Sequence, residues 1–316
     1  MNYFKKIWVI FIIVFIITSF SSCSINRMAT RALSNSLGEA GMAVFSRDDD
    51  PQLVKDSFPF VLKLFEILIE NDPRNHELKA TAGQLFIIYS NLFVHIPADK
   101  LGHRDWRKQA EMRNRARNLY MRGANYLRES LEIKYRINID FSDVNSVEHR
   151  FRKEDAGTLY WLGAGLMSAI TIDITNPALA IYRDTAIRIM SIAYELDPDF
   201  GDGALHEYFI MFYASMPESM GGSLEKARYH YKRALELSAG RRISPHIAFA
   251  TTVATRDQTG KGLIEFREAL QKAISFDVNQ YPLNRLENTI NRQRAIWLLN
   301  NIENFFLIDD YLLDNE

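Results

Sequence analysis

One cysteine, Cys23, is all that the 316 residues carry, so no disulfide can form within the chain. An excess of one charge is missing too. With 38 basic against 39 acidic side chains the formal net charge is −1, a balance that does not invite nucleic acid. Alternating Val- and Thr-rich runs, the pattern of half-buried strands, are nearly absent. No apolar run reaches the roughly 20 residues of a spanning helix. The longest, from Ile7 to Phe20, follows Lys5 and Lys6 and ends in small and polar residues around Cys23, the anatomy of a cleaved secretory signal. Its removal takes away two lysines and no acid, leaving 294 residues at a formal balance of −3.

A catalytic constellation is also missing. Catalysis needs a convergent nucleophile, base and stabiliser, or metal ligands at helical spacing. His206-Glu207 opens a zinc-protease pattern, but the place of its second histidine is held by Ile210. The remaining histidines, at 76, 95, 103, 149, 230 and 246, form no i, i+4 pair to hold a metal. Asp48-Asp49-Asp50-Pro51 reads as an N-cap followed by a first-turn proline rather than a cation site. Gly163-Ala-Gly165 lies inside an apolar helix, without the strand a phosphate loop needs, and reads as packing. The expectation is a protein that holds partners or a ligand, with no catalytic residue, metal or cofactor.

What is present is helical periodicity, from Asp50 to Ile308, as in Phe60, Leu64, Phe65, Leu68 and Ile69. It predicts a leading helix over 51–71, interrupted or kinked at Pro59. Pairs follow: 75–95 with 104–135, 153–173 with 177–196, 200–214 with 223–238, and 243–255 with 261–276. A last amphipathic helix, 284–308, carries Leu286, Ile290, Trp297 and Leu298 with Arg285, Glu287, Arg292 and Arg294 interspersed. It is expected to cap the end of the stack. Ala227, Tyr231 and Ala234, like Ala116, Tyr120 and Gly123, make small-large-small stripes for close packing. The organisation predicted is a signal peptide over 1–22, a tether with a short helix over 23–48, and one helical domain over 49–316.

Some features are less easily reduced to packing. Arg104, Arg107, Lys108, Arg113, Arg115, Arg117 and Arg122 crowd one helix, either as a solvated face or as a patch for an anionic partner. Asn91-Leu-Phe-Val-His-Ile-Pro97 reads as a helix ending in large apolar residues and entering a loop. Met216-Pro-Glu-Ser-Met-Gly-Gly222 is long for a turn, and is either an extended turn or the lining of a binding cleft. The binding candidates are therefore Asn91, Phe93 and Ile96 in the first segment and Met216, Glu218, Ser219, Met220, Gly221 and Gly222 in the second. Tyr160, Phe209 and Phe212, placed on opening helices, join them by repeat position.

Three resemblances sharpen this reading. Phe20-Ser21-Ser22-Cys23 resembles a bacterial lipoprotein box, which implies lipidation of Cys23; Ser24, where some bacteria use Asp for inner-membrane retention, favours the outer membrane. The closing segments Phe65 to Pro73, Ala193 to Pro198, Ala234 to Ser238 and Ala273 to Asp277 look like the ends of tetratricopeptide repeats. Alanines 193, 234 and 273 lie 41 and 39 residues apart against a usual spacing of about 34, so the loops are expanded. The implied fold is an all-α, tetratricopeptide-like helix-pair superhelix with flanking and C-terminal capping helices. Finally, the mature start at Cys23, the run Gly41 to Pro51, the loop Met216 to Gly222 and the stretch Glu265 to Asp277 resemble the TatT family, tetratricopeptide lipoproteins associated with TRAP transporters. That resemblance implies a periplasmic helper that docks the transporter's solute-binding protein and passes a small organic or hydrophobic ligand, arranged as a homotrimer with a cavity in each subunit. The alternative is a tetratricopeptide scaffold lipoprotein in outer-membrane or cell-wall assembly.

Overall fold

The computed structural model describes residues 37–38, 41–140 and 144–307. The signal segment, Cys23 and most of the tether lie outside these residues, as does the end of the last predicted helix. Among the described residues the regular structure is all helical, with no strand. A short helix α1 (Gly41–Arg47) precedes α2 (Pro51–Asn71), which begins where local chemistry dictates. The Asp50 carboxylate accepts the orphan N–H groups of Gln52 and Leu53 at 2.9 and 3.1 Å, and Pro51 sits where no N–H is needed. Replacing Asp50 with Ala is expected to cost about 1 kcal/mol in denaturant unfolding, without any change in metal content. Pro59 is absorbed inside α2, which continues as one helix to Asn71.

Helix α3 (His76–Ser90), capped by the Asn75 side chain, does not end in the loop expected at 91–97. It passes through a π turn, Asn91–His95, into α4 (Ile96–Asp99). The wider turn keeps the backbone ladder intact, with Ile96 N–H donating to the Asn91 carbonyl, and accommodates Pro97, which has no N–H to give. The chain continues with α5 (Trp106–Tyr135), α6 (Ala156–Ile172), α7 (Pro177–Ala180), α8 (Arg183–Leu196), α9 (Phe200–Ser215) and α10 (Leu224–Ser238). Next come α11 (Ser244–Ala248), prolonged by a second π turn at Phe249–Val253, α12 (Gly260–Ile274) and α13 (Arg285–Asn300).

Pairing follows chain order: α3 packs on α5, α6 on α8, α9 on α10, and α11 with its π turn on α12. Opening helices also touch their successors, α3 on α6, α6 on α9 and α9 on α11, so they form one layer of the stack. Small residues set the closest approaches. A Cβ added at Gly83 would lie 2.7 Å from the Gly123 carbonyl, and one at Gly123 would lie 2.7 Å from that of Gly83. A Cβ at Gly165 would meet Ile87 at 2.7 Å, so the Gly163-Ala-Gly165 run is a packing device.

Two features differ from expectation. Three arginines of α5 pair with neighbouring elements: Arg113 with Asp99 (2.9 Å), Arg117 with Asp173 (2.6 Å) and Arg122 with Glu66 (3.3 Å). Helix α13, expected only to cap the far end, packs on α12 and α11 and also reaches α1 and α2. Arg285 Nη1 donates to the Arg47 carbonyl at 3.1 Å, so among the described residues the last α-helix is fastened to the first. The stack closes into a ring.

Candidate functional site

Ring closure turns side chains of the opening layer toward a shared interior. Glu207 on α9, Arg242 just before α11 and Glu287 on α13 meet there, with the Arg242 guanidinium 3.3 Å from Glu207 and 3.0 Å from Glu287. Ser244 Oγ donates to Glu207 at 2.7 Å. The three charged side chains keep 14, 18 and 33% of their surface exposed for Arg242, Glu207 and Glu287. Charged groups with this partial exposure meet where α9, α13 and the start of α11 come together.

The electrostatics agree with enclosure. Burial, followed by the nearby Glu287, raises the proton affinity of Glu207, while Arg242 and Ser244 oppose that rise. Burial works against the charge of Arg242, and Glu287 and Glu207 more than restore it. Tyr160 on α6 stands in the same field: burial first, then Glu207, raises its hydroxyl pKa. Its ring packs on Phe200 and Trp161.

A second group of charges faces this one from the start of the ring. His95, delivered by the π turn, shares a hydrogen bond with the Tyr120 hydroxyl at 3.2 Å and lies 3.6 Å from Asp99. Asp99 is held in turn by Arg113 at 2.9 Å. Arg294, two turns along α13 from Glu287 and therefore near the same helix face, links the groups. Its charge, itself disfavoured by burial, biases His95, Lys100, Tyr120 and Glu207. Burial lowers the pKa of His95 and of Lys100, and Arg294 adds to both shifts.

Of the residues singled out in the sequence, Tyr160 is the one beside this cluster. Phe209, 6% exposed, lies instead in an aromatic stack with Tyr194, Tyr213 and His230 between helices, and Phe212 packs half-buried on Tyr208 and Tyr213. Phe93 is core, against Phe58 and Tyr89; Ile96 is buried and Asn91 exposed. Met216 to Gly222 forms a self-bonded turn, in which the N–H groups of Met220 and Gly222 each donate to the Pro217 carbonyl at 2.9 Å. Gly221 takes φ +90° to close it, and Glu218, Ser219 and Met220 are exposed. Arg294, Arg242, Glu207, Glu287, Asp99 and His95 escaped the sequence reading as a site. The available signal was the shared face of Glu287 and Arg294 on an otherwise amphipathic helix.

Outside the ring interior, His206 and His230 share a buried Nδ1 to Nδ1 hydrogen bond of 2.8 Å within the aromatic stack. No group of three or more metal-ligating side chains occurs among the described residues, and no helix among them is long and apolar enough to cross a membrane.

Comparison with known proteins places this architecture. The model of the family described as the TRAP transporter T-component matches residues 47–306, nearly the whole described ring. A Treponema pallidum (strain Nichols) protein named only "Uncharacterized protein" is 32% identical over 306 residues, which is 91% of this chain and 94% of that relative. On this coverage the chain belongs to the TRAP transporter T-component family, non-catalytic accessory proteins of transport.

Proposed function

We propose that this protein is a lipid-anchored periplasmic helper of a TRAP-type solute transporter, built from tetratricopeptide-like helix pairs. It docks the transporter's solute-binding protein and admits a small organic ligand to the interior of its ring. Cys23 carries the anchor, more consistent with the outer membrane than the inner, and the working assembly is a homotrimer. The observation that carries the ligand part is the enclosed, wet cluster around Arg242, Glu207 and Tyr160, since a purely structural stack has no need of charges turned inward. Family membership supports the transport role. The exposed turn at Met216 to Gly222, with Met220 51% exposed, supports docking at that end of α9.

The test is a binding measurement between the full chain and the solute-binding protein encoded beside it. Association at micromolar concentration or tighter is expected, as a transient working complex requires. Glu218→Lys and Met220→Asp should weaken it without unfolding the ring, because both side chains point into solvent. No association of the wild type would remove the transport reading; unchanged binding of both variants would move the docking surface elsewhere.

A further inference from the structure

Helix α2 carries apolar side chains on two faces, and only one of them is covered. Val54, Phe58, Leu62, Phe65 and Leu68 are buried toward the core. On the outward side Leu53, Phe60 and Ile67 are 58, 73 and 59% exposed. They stand seven residues apart, a spacing that drifts only about 20° per step around a helix, so the three form one stripe. Exposed Ser57 and half-buried Leu64 fill the alternate positions and complete the four-three rhythm with which one helix packs along another. Large apolar side chains scattered singly over a surface need no explanation; three in register along one helix, with a fourth between them, mark a contact surface.

The edge of the stripe says what covers it. Asp56 and Lys63, both exposed and themselves seven residues apart, border it on one side. Asp56 lies four residues before Phe60 and Lys63 three after it, about 6 and 4.5 Å along the helix axis. When two copies of α2 lie antiparallel about a two-fold axis at Phe60, Asp56 of each copy therefore comes opposite Lys63 of the other. Leu53 then meets Ile67, and Phe60 meets its own equivalent. Such a contact is reciprocal, so both charge pairs form at once. Parallel copies would instead turn Asp56 and Lys63 toward Val61 and Leu68, where neither finds a charge. The contacts already made within α2 survive the pairing. Lys63 Nζ donates to Glu66 at 2.7 Å and Gln52 Nε2 to Asp56 at 2.9 Å, and an ammonium with three donors and a carboxylate with two oxygens each have room for one partner more. Glu70 falls past the end of the apolar contact, toward exposed Asp49 and Asp50 of the other copy, where water and ions screen the repulsion.

We propose that the outward face of α2 is a two-fold, antiparallel contact between copies of this chain, closed by Leu53, Phe60 and Ile67 and held in register by Asp56 and Lys63. It goes beyond the transport reading and does not rest on it, and a three-fold contact elsewhere on the surface leaves it unchanged.

The test is oxidative cross-linking of the full chain in cell envelopes, with the wild type, whose one cysteine is Cys23, as background. Phe60→Cys should form a disulfide-linked pair with itself. Leu53→Cys and Ile67→Cys should each stay single and pair when expressed together. Ile174→Cys, at an exposed position outside this face, is the control and should give only background. Adding Asp56→Lys to Phe60→Cys should lower the yield of pairs roughly fivefold, the effect of exchanging two exposed ion pairs for like charges, and adding Lys63→Asp as well should restore it. All these side chains are exposed, so helical content by circular dichroism should match the wild type throughout. No Phe60→Cys pair above background overturns the proposal. Self-pairing of Leu53→Cys and Ile67→Cys as strong as that of Phe60→Cys overturns the antiparallel register, and failure of the charge exchange to restore the yield overturns the roles of Asp56 and Lys63. Cross-linking of Phe60→Cys to a cysteine-bearing solute-binding protein in place of a second copy gives this face to that partner and overturns the proposal, while leaving the transport reading standing.

Discussion

The Arg242→Met protein is expected to lose about 3 kcal/mol of unfolding free energy, the low end of what breaking an enclosed ion pair costs. Arg242 is the one cation ion-paired with Glu207 and Glu287 among the described residues, and its side chain is only 14% exposed. Removing it leaves two carboxylates facing each other in an enclosed space, where water can reach them but not surround them. The low end is the right figure because Glu287, at 33% exposure, keeps much of its hydration. Adding Glu287→Gln to Arg242→Met should recover part of the loss, since one of the abandoned charges then disappears. Urea unfolding of the single and double variants measures both numbers. A loss under about 1 kcal/mol in the single variant would show the three groups to be independently solvated, and the interior would then be no more enclosed than an ordinary surface.

A second large effect is expected from acid. His206 and His230 share their hydrogen bond inside a wall of aromatic rings, and burial lowers the pKa of both. For His230, burial first and the neighbouring His206 and Lys226 next bring it from 6.5 to about 4. His246, bonded to Tyr231 at 2.7 Å, is brought by burial to about 4 as well. A histidine whose folded pKa lies below its unfolded value is kept neutral by folding, so its contribution is complete above pH 6.5. It is lost as the unfolded chain gains the proton that the native chain refuses, down to about pH 4. At about 1.4 kcal/mol per pKa unit, His230 alone accounts for about 3.5 kcal/mol over that window. Denaturant unfolding from pH 7.5 to 4 should show this slope. The double variant His206→Phe, His230→Phe, which keeps the rings and removes the protons, should show a shallower one, and an equally steep slope would place the acid sensitivity elsewhere.

How far the sequence discloses this molecule depends on the range of the physics involved. The start of α2 is legible at Asp50-Pro51 because the cap and the proline act within three residues, and Asn71 is legible as its end because Asp72-Pro73 follows. The pairing of helices is legible from their small and apolar stripes, and Gly123 sits where the stripe places it. The continuous passage through Asn91–His95 was not, because a π turn imitates the loss of helical period that normally marks a loop. The interior was least legible. Glu207 and Phe209 are two residues apart, hence about 200° around the helix, so one faces the ring and the other the paired helices. Repeat position nominated Phe209; only the assembled layer shows which of the two looks inward. Arg294 and Asp99 each read as ordinary residues of a wet helix face, because nothing near them in the chain records that α13 will arrive opposite the first helices.

The bond between Arg285 and the Arg47 carbonyl spans 238 positions of sequence. Stacked helix pairs ordinarily take their stability from nearest neighbours and can fray one unit at a time from either terminus. Here the first and last described units hold each other, which disfavours melting that creeps inward from either of them. The last described α-helix completes the contacts of the first described one, a pairing distant in sequence that makes native structure slow to form and sharply cooperative to lose.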